Sequence, residues 1–438
     1  MSPSMLWICF AVASFKKLGN RALLPFFSFT FILFSENSLK VMPLIAGMYL
    51  HPWDLMDDGP QVVFDHIVSR AGLNSVSLAT TYHGGPPFRG GFFLPHNLKR
   101  RLYIPEAGVV YFQPHLELYR NTRLKPVLSS QLSGYDALEA ATEEAEKMGA
   151  SVTSWTICSR NERLASQNPE FATENIFGLR DPTWLCPNNP DAREYLLALI
   201  EDITSNYRVD GLELESLGFG TVMPPPRGLA VDRIVGRLLT LCFCEACRKA
   251  ARDAGYDWDS MTRAAKTIMK VYLDLEPEVW DAIARGVVSL DSFTEIALQV
   301  EGLKHFEEFQ SETVFHCLKD IKDRTRRSER KVRIAFPMDL SLPLKRLQGI
   351  VDNFIVGAQG PQQLMHRAAL LRFIVPGAGI QVGFSLLPGA YNLTPAMVNA
   401  IKSVGVNAIN FYNYGNAHPK CFEAIRVALE PLRASIRH

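Results

Sequence analysis

Eight short apolar runs, spaced along the chain with longer segments between them, constrain this sequence more than any other feature. They are "LIAGMYL" (44–50), "SVSLAT" (75–80), "SVTSWTI" (151–157), "DGLELES" (210–216), "VRIAFPM" (332–338), "NFIVGA" (353–358), "IQVGFSL" (380–386) and "NAINFYN" (407–413). Each has the length and much of the β-branched or aromatic content of a buried strand. Between most of them, apolar residues recur at helical spacing, over 60–72, 134–149, 189–207, 361–375, 394–405 and 420–432. The segment at 189–207 opens with Asn189 as N-cap, Pro190 at the first helical position and Asp191 in the first turn, all favourable at a helix start. Parallel neighbours need a crossover, which a helix supplies. Eight strands alternating with helices therefore predict an α/β fold, a closed (β/α)₈ TIM barrel.

Two excursions break the spacing. The first, at about 83–130, is rich in Gly, Pro and aromatics, with a hairpin expected at "RLYIP…VVYFQ"; the second, at about 217–328, is mostly helical and holds the cysteine cluster. Following strands two and four, these long insertions belong on the C-terminal face, where barrel enzymes build their sites.

Residues 1–41 stand apart. "LWICFAVASF" and "LLPFFSFTFILF" are apolar, yet each is shorter than the roughly 18 to 20 residues of a membrane span. A signal-like leader, a membrane anchor and a start site displaced to Met42 are three readings of this segment. The barrel domain is assigned to 42–438. A cytoplasmic location follows if the leader is not real, and secretion or membrane anchoring if it is.

The net charge is +1, and the basic residues are scattered except in "DRTRRSERK", which reads as a solvated helix end. No footprint for nucleic acid is present. A homo-oligomer is left open.

Strand four raises the sharpest chemical question, because Glu213 and Glu215 lie two residues apart in an apolar run. In a strand both side chains face the same way, and a carboxylate is costly to bury without partners or a task. Glu215, at the strand's end, reaches the cavity, with Glu213 below to tune or orient it. The alternative is that Glu213 pairs with an interior Arg or Lys while Glu215 holds a loop.

The other strand ends offer His51, Trp53 and Asp54; Tyr82 and His83; Trp155, Arg160, Asn161 and Arg163; Asp339; Gln359; Gln381 and Ser385; and Tyr412, Asn413 and Tyr414. Aromatic rings stack on sugar faces while amides and charged groups take hydroxyls. Trp53, Tyr82, Trp155 and Tyr412 are the expected stacking surfaces, and Asn161, Arg163 and Asn413 the hydroxyl binders. His51, Asp54 and His83 complete the candidate substrate site. Glycoside hydrolysis needs two carboxyl groups. Glu215 is assigned as acid and Asp339 as base or nucleophile, with Asp54 next in line. His51, His83 and His96, with Asp54 or Glu215, also permit a metal-enzyme reading.

"CFCEAC" places Cys242, Cys244 and Cys247 close together, a spacing better suited to sharing a metal than to separate disulfides. Cys186, just before the helix that leads into strand four, is the expected fourth ligand of a structural zinc. No organic cofactor is expected.

The run from "WTICSRNERLA" to "VDGLELESLGFG", followed by "LLTLCFCEAC" and "AINFYNYG", resembles bacterial glycoside-hydrolase-like (β/α)₈ proteins. The acid of their strand-four motif falls on Glu215. The Cys-x-Cys-x-x-Cys segment is similar to that of family 42 β-galactosidases, which implies a structural zinc held by Cys186, Cys242, Cys244 and Cys247. Two departures argue against a retaining mechanism of that family's type: strand four lacks an Asn-Glu pair, and "QVGFSLLPG" lacks a carboxylate. The expectation is thus a glycosidase-like enzyme with a carbohydrate substrate. A carbohydrate-binding pseudo-enzyme and a metal-dependent sugar isomerase or lyase are the alternatives.

Overall fold

The computed structural model describes residues 9–14, 26–31, 44–84, 92–220, 233–285, 287, 299–387 and 393–436. The chain divides into two compact units, Met1–Met42 and Pro43–His438. In the first, the strands Cys9–Ser14 and Phe26–Phe31 pair antiparallel. Among the described residues no helix is long and apolar enough to cross a membrane.

The second unit is a closed barrel of eight parallel strands. In chain order they are β1 (Ile45–Leu50), β2 (Ser75–Ala79), β3 (Ser151–Ile157), β4 (Gly211–Glu215), β5 (Arg333–Pro337), β6 (Asn353–Ile355), β7 (Gly379–Ser385) and β8 (Ala408–Tyr412). Each falls within or beside one of the eight apolar runs. Helices cover the outside, and their apolar faces and the outward strand residues form one large core, including Leu212, Leu214, Ile334, Phe354 and Ile409.

The even-numbered strands enter the barrel through a shared device. Asn74, Asp210, Asp352 and Asn407 each stand one residue before such a strand. Each accepts a hydrogen bond from the backbone N–H of the second residue of the preceding strand: Ala46 (2.8 Å), Val152, Ile334 and Ile380 (2.9 Å each). The Asp210–Gly211 pair of strand four is thereby explained as a structural clasp. A side chain on Gly211 would crowd the Thr153 hydroxyl.

After β1 the chain turns directly into helix α1 (Pro52–Asp58), which the sequence pattern did not reveal. Pro52 begins it, and the Asp54 carboxylate accepts from the His51 backbone N–H at 2.9 Å. The segment after β2 corrects the expected hairpin. Leu102–Tyr103 pairs with Phe92–Phe93, and Val109–Val110 with Thr81–Tyr82. Tyr103 is drawn away because its ring packs on Trp53, 4.4 Å between centroids. Gly108, at φ 61°, donates to the Tyr82 carbonyl and starts the second pairing.

Helix α2 (Pro190–Asn206) starts as its sequence foretells, with the Asn189 side chain accepting from Asp191 and Ala192 N–H. The segment between β4 and β5 is mostly helical in its described residues and ends in α3 (Glu301–Thr325).

Candidate functional site

Side chains at alternate strand positions fill the barrel interior. Glu213 is among them, 5% exposed. The Tyr49 hydroxyl of β1 donates to its Oε1. Gln381 Nε2 of β7 and Asn410 Nδ2 of β8 donate to its Oε2 at 2.7 and 3.3 Å. Asn410 Nδ2 also lies 3.2 Å from Ser77 Oγ of β2. Among the described residues no interior Arg or Lys takes this role, so the expected alternative of an internal ion pair gives way to a neutral polar cage. Burial pushes Glu213 up to about 7, with the nearby Glu215 charge adding to the rise and the hydrogen bonds from Tyr49 and Gln381 opposing it.

Glu215 lies one pleat nearer the mouth and is half-buried. Trp155 Nε1, from the adjacent β3, donates to its Oε2 at 2.6 Å. Backbone bonds from Cys158 N–H to the Glu215 carbonyl (2.8 Å) and from Ser159 N–H to the Ser216 carbonyl (2.9 Å) carry the β3–β4 pairing past the strand ends. Ser216 turns the chain at φ 56°, a left-handed conformation uncommon for a residue other than glycine.

Aromatic rings surround this carboxylate. Trp155 meets Tyr49, Tyr82 and Tyr412 edge-on at centroid distances of 5.2, 6.0 and 6.0 Å. His51 stacks on Trp53 at 4.4 Å and 8° and is flanked by Phe92 at 4.8 Å. The imidazole is fully buried, and neither ring nitrogen has a hydrogen-bond partner among the described residues. Burial holds it neutral, pushed down to about 3, with His83 adding a smaller effect. Trp53 Nε1, Tyr111 Oη and Asn413 Nδ2 are likewise buried without partners among the described residues. Buried polar groups without partners are rare and call for an explanation.

The remaining expected site residues divide into those at the mouth and those engaged elsewhere. Tyr82 is buried against His51 and Trp155, with His83 stacked on it at 4.7 Å. Trp53 is fully buried, so its ring faces belong to the packing of the cluster. Asp54 is also buried, and burial raises it to about 8, opposed by its backbone hydrogen bond from His51. Asn161 caps the helix Glu162–Gln167 by accepting from Leu164 N–H. Arg163 is taken up by Glu106 at 2.9 Å and the Ala107 carbonyl at 3.1 Å. Asn413 Oδ1 accepts from Asn416 N–H at 3.0 Å. Asp339 is exposed beyond β5, with one carboxylate oxygen held by the N–H and hydroxyl of Ser341 at 2.8 and 2.7 Å.

Tyr49, Asn410 and Phe92 were not singled out from the sequence. For the first two a signal existed: Ser77, Glu213, Gln381 and Asn410 are polar residues on the inward positions of apolar strands, and Tyr49 shares that parity.

A second constellation lies apart. Cys186, Cys242, Cys244 and Cys247 are all buried, their sulfurs within 4.8 Å of one another. Cys186 Sγ is 3.5 Å from those of Cys244 and Cys247 and 3.9 Å from that of Cys242. Tetrahedral zinc with about 2.3 Å bonds to sulfur sets its ligands about 3.8 Å apart. Glu174 N–H and Asn188 Nδ2 also donate to the sulfurs of Cys242 and Cys247, at 3.4 Å each. Hydrogen bonds from the other three cysteines hold Cys244 far below the usual thiol range. The donor set and its spacing fit the metal.

No protein-family model matches this chain. No curated protein matches it either. Solved structures do share its fold. An α-L-fucosidase isoenzyme 2 from Paenibacillus thiaminolyticus superposes with a TM-score of 0.50 at 13% identity, over 89% of this chain and 49% of that one. A β-galactosidase from the psychrophilic Marinomonas ef1 gives 0.50 at 12% identity, over 90% and 60%. A polyextremophilic β-galactosidase from the Antarctic haloarchaeon Halorubrum lacusprofundi gives 0.51 at 12%, over 88% and 57%. The likeness is one of fold. The chain spans about half to three fifths of the length of these enzymes.

Proposed function

We propose that the protein acts on a carbohydrate at the C-terminal mouth of its barrel, as a glycosidase-like hydrolase with Glu215 as general acid and Asp339 as base or nucleophile. The observation that carries this reading is the division between the two glutamates of β4. Glu213 is enclosed by donors from β1, β7 and β8. Glu215 accepts one side-chain hydrogen bond among the described residues, from Trp155, and keeps its second oxygen for other work. Glu213 is thus a positioning group, and Glu215 the group placed to give or take a proton.

Support comes from the surrounding chemistry. Glu215 and Tyr412 are partly exposed beside the rings of Trp155 and Tyr82, a combination suited to sugar hydroxyls and C–H faces together. The names of the fold neighbours, fucosidase and β-galactosidases, agree with a carbohydrate substrate. The same reading places the reaction in residues 42–438. The four cysteines would hold a structural zinc that fixes the segment after β4 against the loop before α2. The test is release of sugar from a broad panel of glycosides and polysaccharides by the 42–438 protein, with turnover on some member expected and none on any member counting against a hydrolase.

A second reading, a carbohydrate-binding protein without turnover, is favoured by the state of Asp339. Its carboxylate is engaged by Ser341, and no hydrogen bond or ion pair joins it to Glu215 among the described residues. Sugar binding without bond cleavage would select this reading. The metal-dependent isomerase or lyase draws less support. Among the described residues the cysteines alone form a group of potential ligands. His83 and His96 turn to the carbonyls of Gly84 and Ala417, at 2.9 and 2.8 Å.

A further inference from the structure

Beside the barrel mouth lies a cleft of about 360 Å³, within the range of sites that take small ligands, roughly 300 to 1,000 Å³. One wall is a single face of α3: Glu307, Gln310, Ser311 and Val314, residues three and four apart that share a helix surface. The opposite walls are the loop Ser216 to Gly220, which continues directly from Glu215, and the loop of Asp339 and Ser341 beyond β5. Trp184 closes one end, with Gly220 passing its indole at φ 123°, a conformation suited to glycine alone.

The lining has a definite chemistry. Gln310, Ser311, Ser341 and Thr240 offer amide and hydroxyl groups, while Trp184 and Phe336 offer apolar surface. Arg237 is paired with Glu307 at 2.6 Å, which leaves Asp339 as the uncompensated charge among the described lining residues. A cleft of this sign disfavours anionic ligands and accepts neutral polyhydroxyl ones. Because β4 pairs with β5, the cleft and Glu215 share one end of the same strand pair.

We infer that this cleft binds further sugar units of the substrate acted on at Glu215, so that the natural ligand is a neutral oligosaccharide rather than a single sugar with a small substituent. The inference rests on the reading of Glu215 as a carbohydrate-acting group and adds the length and charge of the substrate. Binding energy from these outer units would position the bond at Glu215.

The test uses the 42–438 chain carrying Glu215→Gln, which keeps a hydrogen-bond acceptor for Trp155. Calorimetric affinities are measured for cello-, galacto- and chito-oligosaccharides, each as monosaccharide, disaccharide and tetrasaccharide. In the series that binds, the tetrasaccharide is expected to bind at least about tenfold more tightly than the monosaccharide. Adding Gln310→Trp, which fills the cleft, should bring that ratio close to unity, and Gln310→Ala should reduce it; circular dichroism checks the fold of each. A ratio that survives both substitutions, or a monosaccharide that binds as well as its tetramer, overturns the cleft assignment and leaves the Glu215 reading intact. Failure of every sugar to bind overturns both.

Discussion

Tyr49 of β1 donates its hydroxyl across the barrel interior to Glu213 of β4, and this bond holds down in part a carboxyl that burial pushes up. Burial raises Glu213 from 4.5 to about 7. The folded state therefore holds a proton between those pH values that the unfolded chain has released. The associated stability is fully present below about pH 4.5 and is lost as pH rises through about 7, on the order of 3 kcal/mol in all. Glu213→Gln keeps the shape and removes the titration. Denaturant unfolding from pH 4 to 8 should show the variant gaining on the natural protein across that window. A difference that stays constant with pH would contradict the cage as described.

His51 carries a buried, neutral imidazole without hydrogen-bond partners among the described residues. An unsatisfied buried polar group costs about 1–3 kcal/mol. His51→Phe is expected to leave stability unchanged or raise it by about 1 kcal/mol, while weakening sugar binding through the rings of Tyr82, Phe92 and Trp155 that pack on it. Melting temperature and KM together check this. A loss of stability with unchanged KM would make His51 a packing residue.

The four clasps at the entrances of the even strands make a mutational series. Asn407→Ala should cost about 1–3 kcal/mol by stranding the Ile380 N–H. Asp352→Ala should cost more, since Asp352 also holds Lys322 at 3.0 Å. Urea unfolding midpoints would rank them, and equal, negligible effects would show the clasps to be incidental.

The cysteine cluster predicts a bound metal. Elemental analysis should find about one zinc per chain, and cobalt substitution should give thiolate charge-transfer bands. Cys242→Ser or strong chelation should lower the melting temperature by several degrees or more. Metal-free protein of unaltered stability would contradict a structural zinc.

The barrel was legible in the sequence because its signal repeats: eight apolar runs, most followed by a helix, allow little other than closure. The cysteine site was legible because three ligands are local, and Cys186 lies just before the helix leading to β4. The floor of the site was harder to read. Tyr49, Gln381 and Asn410 meet Glu213 only through closure of the barrel, and their shared inward parity becomes meaningful once the strands are known to surround one axis. Asn161 and Arg163 were drawn into the site by proximity to a strand end, where the structure gives them a helix cap and an ion pair. Helix α1 escaped because its seven residues, about two turns, are too few for a periodic pattern. The four clasps escaped because each is one residue, with no flanking repeat.

A proton supplied by Glu215 to a departing sugar oxygen is revealed by comparing leaving groups. Turnover of a dinitrophenyl glycoside, whose leaving group needs little protonation, would be set beside that of the matching oligosaccharide, for the natural protein and for Glu215→Gln. With Glu215 as general acid, turnover of the variant should fall about 10²–10⁴-fold on the oligosaccharide and much less on the dinitrophenyl glycoside. Equal losses on both substrates, or no loss on either, would contradict the assignment of Glu215 as general acid.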